Sequence, residues 1–108
     1  MANGVIVPNI KEEIVALATN AKLSIRSEKI LDLSGLELDS NGAVSSLIPS
    51  AYLPKQLVFN ACIFIKGTSY KMGYVIVRTN GNIEGVIVEN GTYATADTYT
   101  IYGQATWL

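Results

Sequence analysis

An all-β fold, an antiparallel sandwich with a jelly-roll-like head and one short N-terminal helix, is what the sequence predicts, and three observations predict it. From residue 22 onward, apolar and polar residues alternate with period two over short segments. Asn80-Gly81 and Asn90-Gly91 stand between apolar runs, and Asn-Gly is the strongest short hairpin signal, because a type I′ turn needs positive φ at both central residues. Hydrophobic residues make up 49% of the 108, while Asp, Glu, Lys and Arg make up 16%, against roughly 25% in an average soluble domain. That composition supports one domain with a core that needs neither disulfides nor metal.

Residues 1–21 read as an N-terminal attachment or oligomerisation segment. Asn9 can cap a helix, Glu12 stands where a capping-box partner belongs, and Ile10, Ile14 and Leu17 recur at helical spacing. A helix of about two turns is too short to be stable alone, so its apolar stripe has to lie against something. Either it packs on its own β-domain or three copies meet on an axis, which makes Ile10, Ile14 and Leu17 candidate oligomer contacts. The β-sandwich domain, 22–108, follows. Segments 22–26, 29–33 and 35–39 alternate as short strands, and Asn41-Gly42 turns into Ala43-Val44. Residues 48–55 contain Pro49 and Pro54 and read as a linker. Four longer β segments come next, at 57–66, 70–79, 82–89 and 98–108.

The last of these shows a one-sided strand. Tyr99, Ile101, Ala105 and Trp107 share one face, while Thr98, Thr100, Tyr102, Gln104 and Thr106 share the other, so one side is core and one is wet. The hairpin Gly73-Tyr-Val-Ile-Val-Arg-Thr-Asn-Gly-Asn-Ile-Glu-Gly-Val-Ile-Val88 differs. With Asn80-Gly81 as a two-residue loop, Val77 pairs Glu84, Val75 pairs Val86 and Tyr74 pairs Ile87. Val75, Val77, Val86 and Val88 then share one face and Tyr74, Ile76, Ile83 and Ile87 the other. Both are apolar. Segment 57–65 repeats the pattern, with Phe59, Ala61, Ile63 and Ile65 on one side and Val58, Cys62 and Phe64 on the other. A two-layer sandwich buries one face of each sheet. The surplus face, Tyr74, Ile76, Ile83 and Ile87, is therefore expected to meet a neighbouring subunit, or else to be covered within the chain by the helix and the 40–56 segment.

Catalytic chemistry finds little to work with. The chain has no histidine, and its single cysteine, Cys62, lies in an apolar run as a buried structural thiol. Ser-His and Cys-His nucleophiles are excluded, as are the usual nitrogen and sulfur metal sites. No phosphate-loop, dinucleotide or zinc-protease motif appears. Glu12, Glu13, Glu37, Asp39, Glu84 and Glu89 read as solvated charges. No enzyme, cofactor or metal is expected. Asp39-Ser-Asn-Gly42 lacks the later ligands of a calcium loop and reads as a turn, and so does the sequon Asn90-Gly-Thr92. A net charge of −1 without a run of either sign gives nucleic acid no footing. No window approaches the roughly 18 apolar residues of a membrane span, and the N-terminus lacks a signal peptide's basic and apolar regions, so synthesis in a cytoplasm is expected. What remains is binding. Tyr70, Tyr93 and Tyr102 fall in loops or on the polar strand face, and Asp97 lies in the 91–98 loop. Rings beside hydroxyls and a carboxylate suit a saccharide, whose ring has an apolar face and polar edges, while ordinary surface tyrosines are the plain alternative.

The order of these pieces resembles the C-terminal head of tail-fibre and baseplate receptor-binding proteins of tailed phages. The residues that carry the likeness are Leu33-Ser-Gly-Leu36, Tyr52-Leu-Pro54 and Gly73-Tyr-Val-Ile-Val-Arg-Thr-Asn-Gly-Asn-Ile83, followed by a tyrosine-bearing last strand, over roughly residues 30–108. After Leu53-Pro54 the chain reads Lys55-Gln-Leu-Val, where the common form has Gly-Tyr-Arg-Pro. The resemblance implies a homotrimer on a virion, made in the host cytoplasm, that contacts other virion proteins and binds a host-surface receptor such as a saccharide through its loops. It equally accommodates a capsid or tail decoration protein with virion partners alone.

Overall fold

In the computed structural model, which describes residues 13–108, the chain runs as nine strands. They are β1 (Glu13–Ala18), β2 (Ala21–Ile25), β3 (Lys29–Glu37), β4 (Ala43–Val44), β5 (Val58–Lys66), β6 (Ser69–Val77), β7 (Ile83–Glu89), β8 (Thr92–Thr95) and β9 (Thr100–Trp107), with a 3-10 turn at Ser50–Tyr52. The all-β antiparallel expectation holds. The ladders, however, join every strand into one sheet in the order β1-β2-β3-β9-β5-β6-β7-β4, with β8 also on β7. Two separate facing sheets are not seen because β9 serves both halves. It pairs with β3 from Lys29↔Trp107 to Glu37↔Thr100, and with β5 from Ile63↔Tyr102 to Ile65↔Thr100.

The expected N-terminal helix is replaced, over its described part, by β1. Glu13-Ile-Val-Ala-Leu-Ala contains the β-branched Ile14 and Val15, and pairs with β2 from Glu13↔Ile25 to Ala18↔Ala21. A helix of about two turns has too few internal hydrogen bonds to repay its nucleation, whereas β2 supplies a ready ladder. Ile14 and Leu17 therefore sit on a strand, and Ile10 lies outside the described residues.

A second correction concerns the central hairpin. Arg78 N–H donates to Asn82 O (2.9 Å), Gly81 N–H donates to Arg78 O (3.0 Å), and Gly81 has φ +93° while Asn80 keeps negative φ. This is a type I turn closed by a left-handed glycine bulge, which adds one residue to the loop compared with type I′. The register becomes Val77↔Ile83, Val75↔Gly85 and Tyr74↔Val86. A one-residue slip turns every side chain of one arm to the other face. Ile83 and Ile87 thus join Val75 and Val77 inside, and Glu84, Val86 and Val88 join Tyr74 and Ile76 outside. Asn90-Gly91 behaves as expected, with φ +51° and +79° and Glu89 directly opposite Thr92.

The inward face of the sheet makes the core, with Leu23, Leu31, Phe64, Val75, Ile83 and Ile101 all fully buried. The segment between β3 and β5 crosses over this inward face. Leu38, Leu47 and Ile48 are buried on it, Ile48 N–H donates to Gly81 O (3.1 Å), and the Trp107 indole N–H donates to Tyr52 O (2.9 Å). The 40–56 segment therefore covers the core face, that of Val75 and Val77, and not the Tyr74 and Ile76 face for which one reading of the sequence offered it. It leaves the other face open. No helix among the described residues is long and apolar enough to cross a membrane.

Candidate functional site

The open face is built by the outward residues of β5, β6, β7 and β8, with Tyr102 from β9. Strand alternation sends Phe59, Ala61, Ile63 and Ile65 out of β5 while Cys62 and Phe64 go in. On β6 it sends out Tyr70, Met72, Tyr74 and Ile76. Cross-strand register aligns these side chains in rows. Tyr102 lies opposite Ile63, which lies opposite Met72. One step beyond Gly73↔Ile87, Met72 meets Val88, and Val88 lies opposite Tyr93. This row spans five strands, and its members are exposed, Ile63 by 42%, Met72 by 64% and Tyr93 by 64%. The next row runs Ala61, Tyr74, Val86 and Thr95. The third runs Phe59, Ile76 and Glu84.

Aromatic contacts tie the rows together. The Phe59 and Tyr74 rings stack at 4.4 Å with 19° between planes, and Tyr74 meets Tyr93 at 6.2 Å, tilted by 59°. Pre-ordered rings lose little freedom when something lands on them. Charge is scarce here. Glu84 is the one charged residue among the outward positions of β5, β6 and β7, and Arg78 grips it through both Nε and Nη2, the latter at 3.1 Å from Oε1. The Arg78 hydrogen bond holds the Glu84 carboxyl below its ordinary value. Lys71 and Glu89 form a second ion pair at the end of the β6–β7 ladder.

Three of the four residues read as a saccharide site, Tyr70, Tyr93 and Tyr102, share this face with Tyr74 and Ile76. Tyr70 and Tyr93 sit at one end, beside the turns at Gly67-Thr68 and Asn90-Gly91, and Tyr102 lies across the bulged Gly35 of β3, its hydroxyl 3.0 Å from where a Cβ would stand. Asp97 does not join them. It lies in the turn before β9, where Thr98 N–H is bonded to Asp39 O (3.0 Å). Of the residues read as oligomer contacts, Ile83 and Ile87 are core, at 0% and 3% exposure, because of the register slip. Leu17 packs partly against the core, and Ile14 is exposed on β1 at the far edge of the sheet. Met72, Val86 and Val88 were missed as members of the face. Alternation from Tyr70 and Tyr74 could have found Met72, but the valines needed the true register.

Elsewhere the groups are structurally committed. Burial pushes the Cys62 thiol up to about 11. The Asp39 carboxylate accepts from Asn41 and Ala43 N–H (2.8 and 3.0 Å), closing the Asn41-Gly42 turn. A cleft of about 380 Å³ beside Trp107 is lined by Pro54, Leu57 and Val58, and the indole N–H is already bonded to Tyr52 O. No group of three or more His, Cys, Asp or Glu side chains among the described residues is placed to hold a metal ion. Comparisons with protein families, curated proteins and solved structures find no match to this chain.

Proposed function

We propose that this chain is a structural protein of a tailed-phage virion, of tail-fibre or baseplate type, that works as a homo-oligomer, a trimer by its resemblance to such proteins, and binds a host-surface saccharide. The observation that supports this reading is the open face: a charge-poor chain leaves a broad apolar and aromatic surface in water although its core is already closed on the other side. In this reading the single sheet and its crossover serve as the sandwich-like, jelly-roll-like head. The saccharide would stack on Tyr70 and Tyr93 at the end of the face, beside the turns at Gly67-Thr68 and Asn90-Gly91. Binding of the assembled oligomer to a panel of host-wall saccharides tests this, with binding weakened about tenfold or more in Tyr93→Ala expected from the loss of a stacking ring.

A second reading, a capsid or tail decoration protein with only virion partners, is favoured by one placement. Tyr70, Tyr93 and Tyr102 lie on the same apolar face as Met72 and Ile76, while Asp97, the carboxylate a saccharide edge would use, lies elsewhere. An oligomer that ignores every saccharide in the panel yet is retained on purified tails or capsids would replace the first reading with this one.

A further inference from the structure

We infer that the open face is occupied by copies of this chain, with the row Ile63, Met72 and Val88 at the centre of the contact; the inference rests on the homo-oligomer reading and names the surface that makes it. Area is the first argument. The rings of Phe59, Tyr70, Tyr93 and Tyr102 are 39–72% exposed, and aromatic side chains carry roughly 150–250 Å² each, so these rings leave on the order of 400 Å² in water, with Tyr70 and Tyr93 at the rim of the contact, where a saccharide still reaches them. Ile63, Met72 and Val88 enlarge the patch beyond the roughly 300–600 Å² usual for a monomer's largest, toward the ~800 Å² per partner of a stable protein interface.

Composition is the second. The centre is aromatic, aliphatic and Met, without a charge, which is the signature of an interface core. The charges bordering it, Arg78 with Glu84, are already paired within the chain, and Lys71 with Glu89 pairs on the inward side of the same strands. A second copy landing here would strand no lone charge, the term that most often makes burial costly. A saccharide covering the whole face would instead need fixed polar groups converging on its edges, and the three rows offer mainly hydrocarbon.

Shape is the third. Sheet faces pack about 10 Å apart with interdigitating side chains, and a closed rotational symmetry turns the same face of every copy toward the axis, where it meets its neighbours. The cover that the open face lacks within one chain is then supplied by another. Met72 suits the centre, because an unbranched thioether adapts to whatever meets it.

Sedimentation of the 108-residue chain at micromolar concentration, with circular dichroism to verify the fold, is the test. The wild type is expected as an oligomer. Met72→Glu and Ile63→Lys, both at outward positions that leave the core intact, are expected to sediment as folded monomers, with association weakened roughly a hundredfold or more. Met72→Leu should keep the wild-type mass. Ile14→Glu, on the far edge, should keep it too. A folded wild-type monomer overturns both this inference and the homo-oligomer reading. An oligomer that survives Met72→Glu and Ile63→Lys overturns this inference alone and leaves that reading to another surface.

Discussion

Phe64 sits fully buried over two glycines on neighbouring strands, and its ring fills the space their side chains would take. A Cβ on Gly85 would stand 2.6 Å from Phe64 Cε1 and 2.7 Å from Leu38 Cδ1, and one on Gly73 would stand 2.0 Å from Val86 O. Gly85→Ala is expected to destabilise the fold by about 1–3 kcal/mol, the usual range for overpacking. Gly73→Ala should cost more, since its clash is with backbone and the ladder has to open; the two urea midpoints order them. Cys62 packs beside Gly103 in the same layer, its Sγ 2.7 Å from where a Cβ on that glycine would be. Burial raises the thiol from 9.0 to about 11, so its neutral form contributes stability that is fully present below the lower value and lost as pH rises through the upper. In a mildly alkaline buffer Cys62 should ignore a thiol reagent until the protein unfolds, and rapid labelling of the native chain would show that it is accessible. Glu84 has the opposite sign. Arg78 lowers its carboxyl from 4.5, so the pair's contribution is present above that value and lost as pH falls through the lowered one. Being partly exposed, the pair is worth at most about 1 kcal/mol, and Glu84→Gln should flatten the acid limb of stability by that much.

Turns decide how the strands face. Gly81 and Gly91 both close hairpins in the left-handed region, at φ +93° and +79°. Around Gly91 nothing lies within 4 Å, so Gly91→Ala pays only backbone strain, roughly 1 kcal/mol. A Cβ on Gly81 would also stand 2.6 Å from the carbonyl oxygen of Ile48, whose N–H donates to Gly81 O, so Gly81→Ala should lower the thermal midpoint several degrees further. Equal midpoints for the two variants would show that the crossover yields freely. The dipeptide Asn-Gly announces both turns, yet it does not separate type I′ from type I with a bulge. That choice depends on what lies beside the turn. At Asn80 the side chain caps its own loop, accepting from Asn82 N–H (3.0 Å), while Asn82 Oδ1 accepts from Ser46 N–H (2.7 Å) of the crossover. β1 has a similar lesson. Its spacing of Ile14 and Leu17 satisfies a helix and its β-branched residues satisfy a strand, and the availability of β2 selects the strand.

At the level of the whole molecule, the long connection between β3 and β5 settles which side of the sheet is interior. Its anchor is the Trp107 indole bonded to Tyr52 O, which ties the last strand to the crossover. Trp107→Phe, keeping an aromatic ring but leaving that carbonyl without its donor, is expected to cost about 1–3 kcal/mol, read from a denaturation curve. The period-two alternation, the positions of the hairpin turns, the proline-marked linker, the core face of β9 and the two-sided apolarity of the 57–88 region could all be read locally, because each depends on neighbours a few residues away. So could the lack of histidine chemistry, which is a matter of composition. The joining of both halves into one sheet through β9, the strand at residues 13–18, and the exchange of Ile83 and Ile87 for Val86 and Val88 on the open face could not. They rest on contacts between segments tens of residues apart, where one hydrogen bond to a crossover adds a residue to a loop and turns an entire strand over.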